Sequence, residues 1–355
     1  AVANKANFCT MGALSDIVNM GHWGRMRMWL LAIAVATLGA TTTAGGIQYQ
    51  DANALALSNV AASGNFPGTG ATVAISTANA DVDVKTLTGT LTLNNDVNAG
   101  AGNVYFTAGG GITQLGGKII ASALGMNAAG AINVNSATND VVTIAAKTTS
   151  GGITYQDANA LTVSGVGDNG GNFAGAVGLD SSTTNGNTNV TAGGLLTINN
   201  LVTAGATTGS VTLSGSSVTN AATILGGGGV TLRATAANTG TIDNSAGIVS
   251  NSNTANAINL TADNMVLAGG TITGGTGAVN VTTTTPGNTL VAAADLNTIT
   301  TSGTLTLGDA LHTGMIVTNG SALALTNPTG AVVFKTSGGN ISLSDNFTTG
   351  GDLTL

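Results

Sequence analysis

Apolar and polar positions alternate along this chain in bursts of three to five residues, each cut off by a turn. Leu91-Thr-Leu93, Val104-Tyr-Phe106, Ile132-Asn-Val134, Val142-Thr-Ile144, Leu161-Thr-Val163, Val211-Thr-Leu213, Val230-Thr-Leu232, Ile258-Asn-Leu260, Leu305-Thr-Leu307 and Ile341-Ser-Leu343 each turn two side chains to one face and one to the other. That is the period of a half-buried strand. Gly-Gly, Asn-Gly, Asn-Asn and Ala-Gly pairs stand between the bursts and permit positive φ at corners. The pattern predicts many short strands joined by tight bends.

The chain also copies itself. GGIQYQDANALAL, from Gly45, returns as GGITYQDANALTV from Gly151, and the changes keep the alternation. Gly45, Gly46, Gln50, Asp51 and Asn53 then match Gly151, Gly152, Gln156, Asp157 and Asn159 as two equivalent corners. The 106-residue offset is too long for one supersecondary unit and suits about five coils of roughly 20 residues in a solenoid. We therefore expect an all-β parallel β-helix of about 15 coils, with equivalent side chains stacked in ladders of apolar residues, Thr and Asn. An antiparallel sandwich would need its edges guarded by Lys, Pro or charge, and after residue 40 there are few of these. Leu353-Thr-Leu355 ends inside a strand-like run, which reads as a fragment of something longer or as an end that stacks on a neighbour.

Composition narrows the function. With 54 Gly, 3% aromatic and 6% charged residues, the interior must be built from small and β-branched side chains. A net charge of -7 with eight basic residues argues against nucleic acid, which is held chiefly by Lys and Arg on phosphates, and against anionic membrane surfaces. Cys9 is the sole cysteine and has no internal disulfide partner.

Residues 1–40 read as a different segment from 41–355. Cys9, Trp23, Trp29 and most of the methionines lie there, and MRMWLLAIAVATL follows Arg25. This apolar run falls short of the roughly 20 residues that span a bilayer. It reads as a truncated membrane helix or cap, or as a signal peptide with small residues Ala34, Ala36 and Ala40 at its cleavage zone. The stretch FCTMGALSDIVNMGHWGRMRMWLLAIAVA, residues 8–36, resembles the cysteine-bearing segment of the YeeE/YedE family of membrane sulfur transporters. The resemblance implies a sulfur-handling thiol at Cys9 and a membrane partner if the segment is a genuine anchor. A pore needs a bundle of complete spanning helices, so the expectation for Cys9 is a buried small residue and not a working thiol.

TLTGTLTLNNDVNAGAGNVYFTAGGGITQLGGKIIA, residues 86–121, and the GGITYQDANALTVSGV stretch resemble the repeats of filamentous haemagglutinin-like adhesins secreted by the two-partner route, over nearly all of 41–355. The resemblance implies a right-handed β-helix, secreted to the bacterial cell surface or beyond. Its implied work is adhesion, biofilm or filament assembly, with glycans or proteins of cells and matrix, or further copies of itself, as partners.

A carbohydrate-active β-helix, the alternative reading, needs clustered carboxylates with a cation. Arg233 and Asp81 are the residues to test for it, with Asp83 sharing the Asp81 face and His312 the one late histidine. Two such aspartates read more simply as a solvated rim, and Asp51 and Asp157 as corner hydrogen-bonders. Gly165-Val-Gly-Asp168-Asn-Gly-Gly approaches a calcium-roll repeat only once and reads as a loop. Neither a phosphate loop nor a dinucleotide fingerprint is present, so no catalytic, cofactor or metal residues are assigned. Asn189, Asn259 and Asn280 open Asn-x-Thr triplets that follow from Asn and Thr alternating in strands, and Tyr49, Tyr105 and Tyr155 suit core or ladder positions better than sugar stacking.

Overall fold

The computed structural model describes residues 37–355 apart from 66, 252, 254, 319–323 and 344–346. They form an all-β parallel solenoid of about 13 turns. Of the helical segment expected over 1–40, residues 1–36 with Cys9 lie outside the described residues, and 37–40 carry strand in place of helix; among the described residues the one helix is the short 3-10 turn Ala294–Thr298. Strand pairing is already under way at Thr37–Leu38, which lies beside Leu55–Leu57.

One face is a single parallel sheet of 14 strands, ending at Leu353–Thr354. At roughly 4.8 Å per strand it runs for about 60 Å. Its register stacks like on like. Leu55, Leu91, Ile112, Ile132 and Ile153 succeed one another on the inner side, and Val211, Val230, Ile258, Val279, Leu305 and Val332 continue the column after Thr188. Each of these aliphatic side chains is buried, and each stabilises the rod by about 1.5–3 kcal/mol. Thr and Asn at the alternate positions go outward because the pleat turns successive side chains to opposite faces.

Two further faces close the section. In the first coils one consists of Ala40–Thr41, Val73–Ser76 and Asp96–Asn98, the other of Ile47–Asp51, Val82–Thr86 and Asn103–Ala108. The strands Ile119–Ala128 and Asp140–Thr148 run around the corner and pair on both. That corner overturns one expectation. Val142 was placed on the inner face with Ile144, but the bend between them throws it outward, 61% exposed, while Val141 and Ile144 are buried.

Coil length varies far more than the 20-residue expectation, from 19 residues between the stacked Val211 and Val230 to 36 between Leu55 and Leu91. The excess goes into corners, which explains why fewer than 15 coils form. The largest effect on the surface comes from 164–178, extruded between Leu161–Val163 and Leu179–Asp180, two strands that pair with successive halves of Asp140–Thr148. It folds into a small antiparallel hairpin, Gly165–Val166 with Ala176–Val177.

The two copied segments do not lie on one face. Ile47–Asp51 pairs with Val82–Thr86, whereas Ile153–Asp157 sits in the 14-stranded sheet between Ile132–Val134 and Thr188–Ala192. The offset is four coils and one further face, not five coils. The tyrosine–aspartate–asparagine bonds of the corner are local, so they form on either face where an alternating strand precedes a bend.

Candidate functional site

The copied corners are built alike. Gly45 and Gly151 adopt φ of 79° and 87°, where an L side chain is strained. A Cβ on Gly46 or Gly152 would come within 2.6 or 2.5 Å of the carbonyl oxygen of Asp81 or Asn187 in the next coil. Gln50 and Gln156 face outward. Asp51 and Asp157 turn inward, and their Oδ1 atoms accept the N–H of Asn53 and Asn159 at 2.8 and 2.9 Å. The tyrosine two residues earlier donates its hydroxyl to the same aspartate, at 3.1 Å from Tyr49 and 2.8 Å from Tyr155. In the second copy Asp157 Oδ2 also accepts the N–H of Val141 at 3.0 Å, standing in for the strand partner that this face lacks there. These residues carry structure.

Tyr155 is wholly buried. Burial, then the charge and hydrogen bond of Asp157, push its hydroxyl well above the ordinary tyrosine value. The folded chain thus holds this proton more tightly than the unfolded one, so stability present below about pH 10 is lost as pH rises through the folded value. An alkaline absorbance titration is expected to show Tyr155 ionising only with unfolding, and Tyr155→Phe to remove that component. Ionisation of all three tyrosines in the intact fold would contradict this.

The outer side of the 14-stranded sheet carries a column of small polar groups: Thr92, Thr113, Asn133, Thr154, Asn189, Thr212, Thr231, Asn259, Asn280 and Thr306, one per strand in unbroken register. The Asn-x-Thr triplets are ladder rungs, with Asn280 Nδ2 donating to Asn259 Oδ1 at 2.8 Å and the Thr261 and Thr282 hydroxyls 3.1 Å apart.

The hairpin 164–178 lies as a strap across the coils before it. Outward positions Gln48, Asp83, Tyr105, Gly125 and Ala145 are in register beneath it. Phe173 seats over Gly125, where a Cβ would come within 2.5 Å of the ring, and its centroid is 5.4 Å from that of Tyr105. With Ala145, Val166 and Ala176 these rings make a second apolar cluster outside the solenoid core. Asp83 Oδ2 accepts from Gln48 Nε2 at 2.9 Å and from the N–H of Asn172 at 3.0 Å. The solvated rim expected for Asp83 is therefore wrong, since the strap buries it to 5% exposure. Asp81 remains at the exposed corner, accepting the N–H of Asn103. Asp168 accepts the N–H of Gly170 in the strap's loop, and among the described residues no cluster of three metal-ligating side chains is formed.

Asp81 and Arg233 do not share a site. Six strand spacings of the long sheet, from Leu91–Leu93 to Val230–Ala234, separate their coils, about 29 Å at the usual spacing. Arg233 instead stands in register with Thr261 and Thr282, and those residues with Thr283, Thr284, Pro286, Asp309, Leu311 and His312 line a groove of about 310 Å³. His312 is 1% exposed. Its N–H goes to Asp309 Oδ1 at 2.8 Å, its carbonyl accepts from Thr336 and Ser337 of the next coil, and its Nδ1 lies 3.1 Å from the Thr283 hydroxyl. Nε2 alone is left without a partner. Single residues in the sequence gave no signal of this grouping, because it depends on the register of successive strands, Arg233 with Thr261 and Thr261 with Thr282.

A family model described as sulphur transport matches residues 5–76, about a fifth of the chain, in agreement with the resemblance of 8–36. The match continues into strands of the first coil, through Ile47–Asp51 to Val73–Ser76. Among the described residues no helix is long and apolar enough to cross a membrane. No curated protein and no solved structure matches the chain.

Proposed function

We propose that the chain is part of a right-handed β-solenoid fibre displayed on or released from a bacterial cell, and that it works by adhesion to glycans or proteins or by association with further copies. The observation that supports this reading is the register-locked Thr and Asn column along the 14-stranded sheet, a long, rigid and uncharged polar surface suited to contacts repeated along a partner. Beads coated with the chain are expected to be retained several-fold over uncoated beads on glycan- or matrix-coated surfaces, or to cluster with one another. Retention on no surface, together with no clustering, would end the reading, and a cryo-electron density map would decide the hand.

A second reading draws on the sulphur-transport match at 5–76, in which the amino-terminal segment engages a membrane and Cys9 handles sulfur. Flotation of the full chain with lipid vesicles separates it from the first.

A further inference from the structure

We propose that the groove between Arg233 and His312 is a binding site for a carboxylated sugar, a uronate unit within a polysaccharide. This inference rests on the adhesive reading and gives it a defined ligand class.

The groove holds one fixed cationic donor, the Arg233 guanidinium, among threonine hydroxyls that can donate or accept. Arg233 is exposed on the outer face and has no carboxylate within ion-pair distance among the described residues. Its planar guanidinium can present two parallel N–H groups to a carboxylate. The main chain of His312 is fixed by Asp309, Thr336 and Ser337, and its buried ring is held by the Thr283 hydroxyl at Nδ1, which leaves Nε2 as the unpartnered ring nitrogen. When the Thr283 hydroxyl donates to Nδ1, the proton resides on Nε2, which becomes a donor without an acceptor. A buried polar group left in that state is destabilising, and an oxygen of a bound ligand would satisfy it.

The remaining lining fits a sugar better than an inorganic anion. Thr261 and Thr282 supply hydroxyls 3.1 Å apart. Asp309 uses Oδ1 for the N–H groups of Leu311 and His312, and its charge opposes a multiply charged anion while accepting from sugar hydroxyls. Leu311, 74% exposed, and Pro286 give an apolar wall for the C–H face of a ring. One guanidinium matches one carboxylate, and the chain's net charge of -7 disfavours densely sulfated chains.

The test is calorimetric titration of the whole chain with oligogalacturonate, with the same oligosaccharide after reduction of its carboxyls, and with a sulfated oligosaccharide. We expect the carboxylated form to bind at least tenfold more tightly than either of the others. Arg233→Ala should remove that preference and His312→Gln should weaken binding by a smaller factor, with circular dichroism confirming that both variants keep the fold. Equal affinity for the carboxyl-reduced form, preference for the sulfated form, or unchanged binding by Arg233→Ala would each overturn the proposal. Bead retention that survives Arg233→Ala would leave adhesion standing and remove the groove as its cause. Oligosaccharide binding without any bead retention would do the reverse.

Discussion

Replacing Asp157 with alanine is expected to destabilise the rod by about 3–5 kcal/mol, because one carboxylate satisfies three buried or half-buried donors. Tyr155 Oη, Val141 N–H and Asn159 N–H all bond to it, and each donor orphaned in a dry interior costs about 1–3 kcal/mol. Two of the three belong to the main chain at a point where one face of the solenoid loses its ladder, so no neighbouring strand can take over. Chemical denaturation checks the value, and Asp51→Ala is the internal control. Among the described residues the Asp51 carboxylate accepts only from Tyr49 and Asn53 and is half-buried, and its loss is expected to cost about 1 kcal/mol or less, the worth of partly solvated hydrogen bonds. Equal effects of the two substitutions would refute the role given to Val141. The same site carries a pH signature. Burial lifts the Asp157 carboxyl above its ordinary value, against the opposing pull of the Asn159, Tyr155 and Val141 hydrogen bonds. The folded form then holds the proton more tightly, so stability declines as pH rises from the ordinary carboxylate range through the raised value, and Asp157→Asn is expected to flatten that decline.

Phe173→Ala is expected to release the strap without unfolding the solenoid. The ring is 1% exposed, and truncating a buried Phe costs about 3–5 kcal/mol when the surroundings cannot relax. Here they can, because the strap is held to the rod by that ring and a handful of hydrogen bonds, including Thr107 to the Asn172 carbonyl at 3.0 Å and Asn127 to the Gly175 carbonyl at 3.1 Å. Hydrogen exchange should therefore rise by orders of magnitude in 164–178 while the strands Thr188–Ala192 through Val230–Ala234 keep their protection. Gly125→Leu should give the same result from the opposite side, since its side chain takes the space that the ring fills. Exposure of Tyr105 to solvent quenchers would report the release directly. Loss of protection along the whole rod in either variant would show that the strap is part of the core.

What could be read from the sequence followed from the pleat. A Leu-Thr-Leu triplet shows which side chains go inward without any knowledge of the neighbouring strand, so Leu91, Leu93, Val211, Leu213, Leu305 and Leu307 were all placed from the alternation alone. Corners inside a strand were not legible, and Val142 shows why. Nothing in Val141-Val-Thr-Ile144 distinguishes a straight strand from one that bends and shifts phase. The strap was invisible for a different reason. GVGDNGGNFAG has the composition of a loop, and the partner that makes Phe173 a core residue is a glycine 48 positions earlier. The groove at Arg233 needed the register of three coils whose lengths follow no fixed repeat.

The displacement of the copied segment onto another face bears on how such an array lengthens. If a duplicated stretch had to reoccupy its original face, only insertions of whole coils would be tolerated and the sequence would keep a strict period. Here the 13-residue segment stands four coils and one further face along from its copy. The tyrosine-to-aspartate and aspartate-to-asparagine bonds close within two residues in both copies, so they form on either face. A given face of the rod is therefore not tied to one sequence motif: the same corner is presented on different sides at different heights along the axis.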